Sequence, residues 1–185
     1  MKNIGRVGKV ITKIAEVFHW VAAALMTAAT VCSAAAPEKI GLFVGIDAKE
    51  CCGAELSLYG FSVHSPVVDG SVDMTTFMLF GIGAVIILIL MAMVFRNLHL
   101  IFKKSENSTP FQKDNIRMLS EIGIFAIAVP VIGLVMSIIV RLVTGVENAE
   151  ISMDLGGAFM GIIVLCLTQY FIYGAKLEED VDGLV

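Results

Sequence analysis

The side chains with the widest chemical scope are a vicinal thiol pair, Cys51-Cys52, flanked by Lys49 and Glu50. Adjacent cysteines rarely bond each other; they can pair elsewhere, hold a soft metal, report redox state or remain plain thiols, and the residues leave those options open. Cys32 and Cys166 lie in apolar stretches, and the four cysteines show no metal-ligand spacing, so neither a metal centre nor a disulfide framework is expected. His19 and His99 fall at corresponding ends of two apolar segments, where a haem held by two imidazoles can be imagined. With Trp20 beside it, His19 reads instead as a polar tip on an apolar stem at an interface. His64 has no partner at a known spacing. Gln169 is the most unusual polar side chain inside an apolar segment; an interhelical hydrogen bond is its expected role, and a permeant path is the alternative. Ionisable groups are nearly absent from the apolar segments, so no catalytic residue, cofactor or enzymatic activity is expected.

A second group of residues is electrostatic. Lys103, Lys104, Lys113 and Arg117 line the connection between the second and third apolar segments, and an acidic run, Glu178-Glu179-Asp180-Val181-Asp182, closes the chain. Cations beside a membrane helix attract anionic lipid, each contributing about 1 kcal/mol near the surface. The functional alternative is that this strip and the acidic tail form a docking face for a cytoplasmic partner. Within the connection Thr109 can cap a helix, Pro110 suits its first position, and Gln112 stands where its side chain can reach back. Asn107-Ser108-Thr109 matches a glycosylation acceptor but is silent on a cytoplasmic side.

The elements that position these groups follow from hydropathy. A chain of 185 residues that is 57% hydrophobic and 16% charged, with a mean hydropathy of +0.87, is too apolar for a water-soluble domain. Four uncharged runs occupy about 17–37, 74–95, 122–140 and 155–175. At about 1.5 Å per residue each is long enough for a hydrocarbon core of about 30 Å. The expected fold is all-α: a four-transmembrane-helix up-down bundle forming a single membrane domain, with a small extracytoplasmic β-hairpin-like loop between the first and second helices. Lys2, Arg6, Lys9 and Lys13 precede the first run, and Arg96, Lys103, Lys104, Lys113 and Arg117 fall between the second and third. Nine of thirteen cations therefore lie on one side. The positive-inside tendency then makes both termini and the inner loop, 96–121, cytoplasmic. Nothing suggests direct nucleic-acid binding. A basic start, an apolar stretch and Ala34-Ala35-Ala36 also fit a cleaved signal peptide, but the run is longer than a signal core and Pro37 would follow the cut, so the first run is read as a span.

The outer loop, 38–73, reads as strands: 40–46 is a short apolar run, 56–63 mixes aromatic and β-branched residues, and Asp69-Gly70 signals a turn before another at 71–73. So short a segment cannot bury a core alone and is expected to lie across helix ends. Pro130 should kink the third helix. Gly157 and Gly161 match the small-residue packing motif of membrane helices, with packing inside the chain favoured over a homo-oligomer.

At Thr109-Pro-Phe-Gln-Lys-Asp-Asn-Ile-Arg-Met-Leu-Ser-Glu-Ile-Gly123 and Gln169-Tyr-Phe-Ile-Tyr-Gly-Ala-Lys-Leu-Glu-Glu-Asp180 the chain resembles the YoaS-like family, an uncharacterised group of bacterial four-span membrane proteins. The resemblance covers nearly the whole chain and rests on a Pro-Phe step into the third span and on Gly174 followed by an acidic tail. It implies the bacterial cytoplasmic (inner) membrane, supplies no catalytic residues, and suggests a small cytoplasmic helix-turn-helix regulator as partner. The expected function is that of a non-enzymatic regulatory or sensory protein, signalling from an outer loop to a cytoplasmic partner. The alternative is a small transporter or channel subunit acting as an oligomer.

Overall fold

The structure is a computed structural model that describes residues 2–35, 54–65, 67–68, 71–104, 111–145 and 154–182. Helix α1 is Lys2–Ala35, α2 Met74–Lys104, α3 Lys113–Thr144 and α4 Leu155–Asp182. Between α1 and α2 lie strands β1 (Ala54–Leu58), β2 (Phe61–Ser65), β3 (Val67–Val68) and β4 (Ser71–Val72), paired antiparallel as β1·β2 and β3·β4. The fold is therefore helical, with four helices long and apolar enough to cross a membrane and small two-stranded ribbons between the first two.

Each helix runs past at least one of the charges that bound its apolar run: α1 past Glu16, α2 past Arg96, α3 past Glu121 and Arg141, and α4 past Lys176. At about 1.5 Å per residue, lengths of 28 to 34 residues give roughly 42–51 Å, well beyond a hydrocarbon core of about 30 Å. A charged side chain ends a hydropathy run but does not end a backbone ladder. The inner loop of 96–121 is accordingly mostly helix, with Arg96–Lys104 continuing α2 and Lys113–Glu121 opening α3. Asp73 starts α2: its carboxylate accepts from the Thr76 amide and hydroxyl, both at 2.8 Å, and its carbonyl accepts from the Phe77 amide at 3.0 Å. Pro130 lies inside α3, which continues unbroken from Lys113 to Thr144; one hydrogen bond is lost there without ending the element.

The stretch 56–63, expected as one strand, is strand, turn and strand. Tyr59 and Gly60 both have positive φ, 49° and 81°, the backbone of a two-residue hairpin loop, and Leu58 pairs with Phe61 across it. A Cβ on Gly60 would also approach Asp154 Cβ to 2.8 Å, so glycine is required twice over. β3 and β4 flank the expected Asp69-Gly70 turn; that turn, the run 40–46, Cys51-Cys52, Thr109 and Pro110 lie outside the described residues.

The chain divides into two compact units. The first comprises Met1–His19, Leu90–Ala128 and Leu155–Val185; the second comprises Trp20–Ile89 and Val129–Asp154. The second unit has an apolar core. Phe61 and Val63 of β2 are fully buried among residues such as Phe77, Phe80, Ile87, Met136 and Val140, and the Phe61 ring stacks on Phe80 at 5.2 Å. Glycine at 83 makes room for this aromatic, since a Cβ there would lie 2.8 Å from Phe61 Cε1.

The first unit buries larger polar groups beside apolar residues such as Ala92, Val94, Met118 and Ile122, whereas the polar side chains buried in the second unit include the small hydroxyls of Ser33, Thr76 and Ser137. Thr12, Glu16 and His19 recur at helical spacing on one face of α1 and are all buried, as are Asn97 of α2, Asn115 of α3 and Thr168 of α4. The Gly157/Gly161 motif serves packing inside the chain at Gly161, where a Cβ would come 2.9 Å from the Gly123 carbonyl oxygen and 2.6 Å from Ile127 Cγ1 of α3.

Candidate functional site

The first unit joins the end of α2 to the start of α3 through polar contacts. Asn97 donates from Nδ2 to Glu121 Oε2 at 3.0 Å, and Arg117 donates from Nε to Glu121 Oε1 at 2.9 Å. Glu121 thus holds one partner on its own helix and one on the neighbouring helix. Lys104 donates from Nζ to Asp114 Oδ2 at 2.6 Å. Both interhelical pairs are equidistant from position 109, the register of two antiparallel helices joined by a short connection. Between them opens a cavity of about 340 Å³ lined by, among others, Arg96, Asn97, Lys104, Asp114, Arg117 and Glu121.

Electrostatics follows from the pairing. Asp114, outside the uncharged segment 122–140, has its carboxyl held below the usual carboxylate range by the Lys104 ammonium, first as hydrogen-bond donor and then as charge, with Arg117 adding to it. On the second unit, burial pushes the Tyr59 hydroxyl up. Asn115 is 4% exposed, and both polar atoms of its amide lack a hydrogen-bond partner.

The four cations expected as a docking or lipid strip divide into two kinds. Lys104 is tied to Asp114 and braces the α2–α3 connection, and Arg117 is tied to Glu121 within α3, where it holds the carboxylate that accepts from Asn97; Lys103 and Lys113 are exposed, in the last turn of α2 and at the start of α3. Cys51 and Cys52 lie outside the described residues, while Cys32 and Cys166 are exposed free thiols. His19 and His99 are each pinned by a main-chain carbonyl: His19 Nδ1 donates to Ala15 O at 2.8 Å, and His99 Nδ1 donates across to Lys9 O of α1 at 3.0 Å. His64 sits opposite Glu55 in the β1·β2 register. Gln169 does not take an interior position. It is exposed with Tyr170 and Tyr173, and the buried polar residue of α4 is its neighbour Thr168, whose hydroxyl donates to Val164 O at 2.8 Å.

Asn97 and Glu121 escape a reading by composition, because each simply marks the edge of an apolar run. A signal was nevertheless present: polar residues equally far from a short helix connection face each other when the helices fold back antiparallel. Comparison with protein-family models, with curated proteins and with solved structures found no match for this chain.

Proposed function

We propose that this chain is a regulatory or sensory membrane protein in which the β1·β2 hairpin sets the arrangement of α2 and α3, and the ends of those helices present the output. The reading rests on one observation: Phe61, the first residue after the hairpin turn, is fully buried against α2 at Phe80 and Gly83 and lies beside Gly133 of α3. A ligand or force acting on the hairpin acts on both helices. Each helix also carries residues of the polar cluster, Asn97 and Lys104 on α2 and Asp114, Arg117 and Glu121 on α3. The membrane in this proposal is the bacterial cytoplasmic membrane, the four helices cross it up and down, both termini lie inside, and the exposed Lys103 and Lys113 with the acidic tail face a cytoplasmic partner. The YoaS-like resemblance supports a helix-turn-helix regulator in that role. A permeant path through one copy is disfavoured by the aromatic and aliphatic core of the second unit.

The test places spin labels at cysteines introduced at Lys103 and Lys113 in a variant whose native cysteines are replaced, reconstituted in vesicles. Phe61→Leu keeps the hairpin buried but reshapes its contact, and it should shift the distance distribution between the two labels. An unchanged distribution, with the protein folded and inserted, removes the coupling. Accessibility of the same positions to an impermeant thiol reagent from outside intact cells would reverse the assigned orientation.

A further inference from the structure

The first turns of α1 carry a basic face that the proposed function does not use. Arg6, Lys9 and Lys13, with Val10 and Ile14 alongside them, fall within one side of the helix and line an open cleft of about 580 Å³, whose other wall is His99 of α2. His99 is held in place, since its Nδ1–H donates to the Lys9 carbonyl at 3.0 Å. Lys13 is shared with Glu16 at 3.0 Å, but the two differ in burial: the Glu16 side chain is 10% exposed and that of Lys13 51%, so the ammonium remains at the cleft while its counter-ion sits inside. Among the described residues that line the cleft none is a carboxylate. Next to it α1 and α2 approach closely at Gly8, where a Cβ would lie 3.0 Å from the Phe102 ring.

We infer that this cleft is a binding site for a phosphate group, with the phosphodiester of an anionic phospholipid as the source the geometry favours. A guanidinium and two ammonium groups around one opening suit a phosphate oxygen cage, with Arg6 able to engage two oxygens at once. Val10 and Ile14 are 53% and 64% exposed within the same lining, an apolar strip that an acyl chain covers and a free ion does not. Basic clefts between helices at the cytoplasmic side of a bilayer are where anionic headgroups collect. The inference depends on the membrane reading above for its lipid source, though not on the hairpin coupling.

The test uses the full chain purified in detergent and reconstituted into nanodiscs of phosphatidylcholine with graded phosphatidylglycerol. Tightly held lipids are counted by native mass spectrometry, and a second arm adds inorganic phosphate to the detergent-solubilised protein and follows its melting temperature. Arg6→Gln/Lys9→Gln is compared with Lys103→Gln/Lys113→Gln, which removes the same charge from exposed positions outside the cleft. Loss of two charge-assisted contacts, each roughly tenfold or more, should cut tightly held phosphatidylglycerol about 100-fold in the first variant, whereas the second loses only surface attraction of roughly fivefold per cation and should fall by no more than about 25-fold. Stabilisation of the wild type by inorganic phosphate, lost in the first variant, keeps the phosphate site and assigns its source to the free ion. Equal losses in the two variants, or none in either, overturn the site. Alkaline extraction of the membranes runs alongside: a chain released by it overturns the membrane reading and the lipid source together, whereas a retained chain with equal binding overturns the cleft alone.

Discussion

The two compact units hold their residues by different physics. The second unit packs Phe61, Val63, Phe77, Phe80, Ile87 and Val140, a core whose stability grows with apolar area and is indifferent to direction. The first unit buries Thr12, Glu16, His19 and Asn97, where each group is worth having only if its partner stands at the right distance and angle. Both draw on the same three helices, α1, α2 and α3, so helix type does not decide the difference. What decides it is which turns of each helix carry which side chains. A packed aromatic tolerates small shifts at modest cost, whereas a directional polar contact is either made or broken, which suits the second unit to anchoring and the first to switching.

The largest break in that contrast is Phe61→Ala. Removing a fully buried ring should cost about 3–5 kcal/mol, read as a drop in the thermal midpoint of the purified protein followed by circular dichroism. A change under about 1 kcal/mol would mean that the hairpin is not part of the second unit's core. Next in size is Glu121→Leu, which leaves the buried Asn97 amide without its acceptor and should destabilise by about 1–3 kcal/mol. Asn115→Leu sharpens the same comparison with the opposite sign. Its amide makes no hydrogen bond while buried, so an apolar residue of similar size should be neutral or stabilising, and destabilisation would reveal a partner in the working protein. Asp73→Ala removes the cap of α2 and should cost about 1 kcal/mol, detectable as fraying of the first turn by hydrogen exchange.

The smallest effect is electrostatic. The Asp114 carboxyl titrates lower in the folded chain than in the unfolded one, so its pairing with Lys104 stabilises the fold above the unfolded carboxylate range, and that contribution is lost as pH falls through the folded value. A carbon-detected titration of Asp114 should show the depressed midpoint, and Lys104→Gln should return it towards the ordinary range. An unmoved midpoint would separate the pair in solution.

Much of the helical architecture was legible because uncharged runs are written residue by residue. The run 74–95 lies wholly inside α2 and 122–140 inside α3, and α2 and α4 start at Met74 and Leu155, where their runs start. The helix ends that pass a charge were not legible. Arg96 and Glu121 interrupt hydropathy, yet the backbone ladder continues through both. The hairpin turn was hidden because Tyr59 has a large side chain and is an unusual residue at positive φ; only Gly60 hinted at it. At the candidate site Lys104 and Arg117 were legible as charges. The role of Lys104 as a brace was not, because Asp114 becomes its partner only once α2 and α3 fold back on each other, whereas Arg117 and Glu121 stand four residues apart on α3. The buried face of α1, with Glu16 and His19, looked like a span boundary because a boundary and a polar core use the same residue types.

Pro130 carries a consequence for time rather than for shape. The residue has no amide hydrogen, so the Ala126 carbonyl loses the donor that a helix would normally bring to it four residues later. Continuous as α3 is, its hydrogen-bond ladder therefore lacks one rung in mid-helix, while the bonds on either side still span that turn. Deuterium uptake along α3 should be fastest for the amides next to Pro130, so that exchange starts from the middle of the helix as well as from its ends.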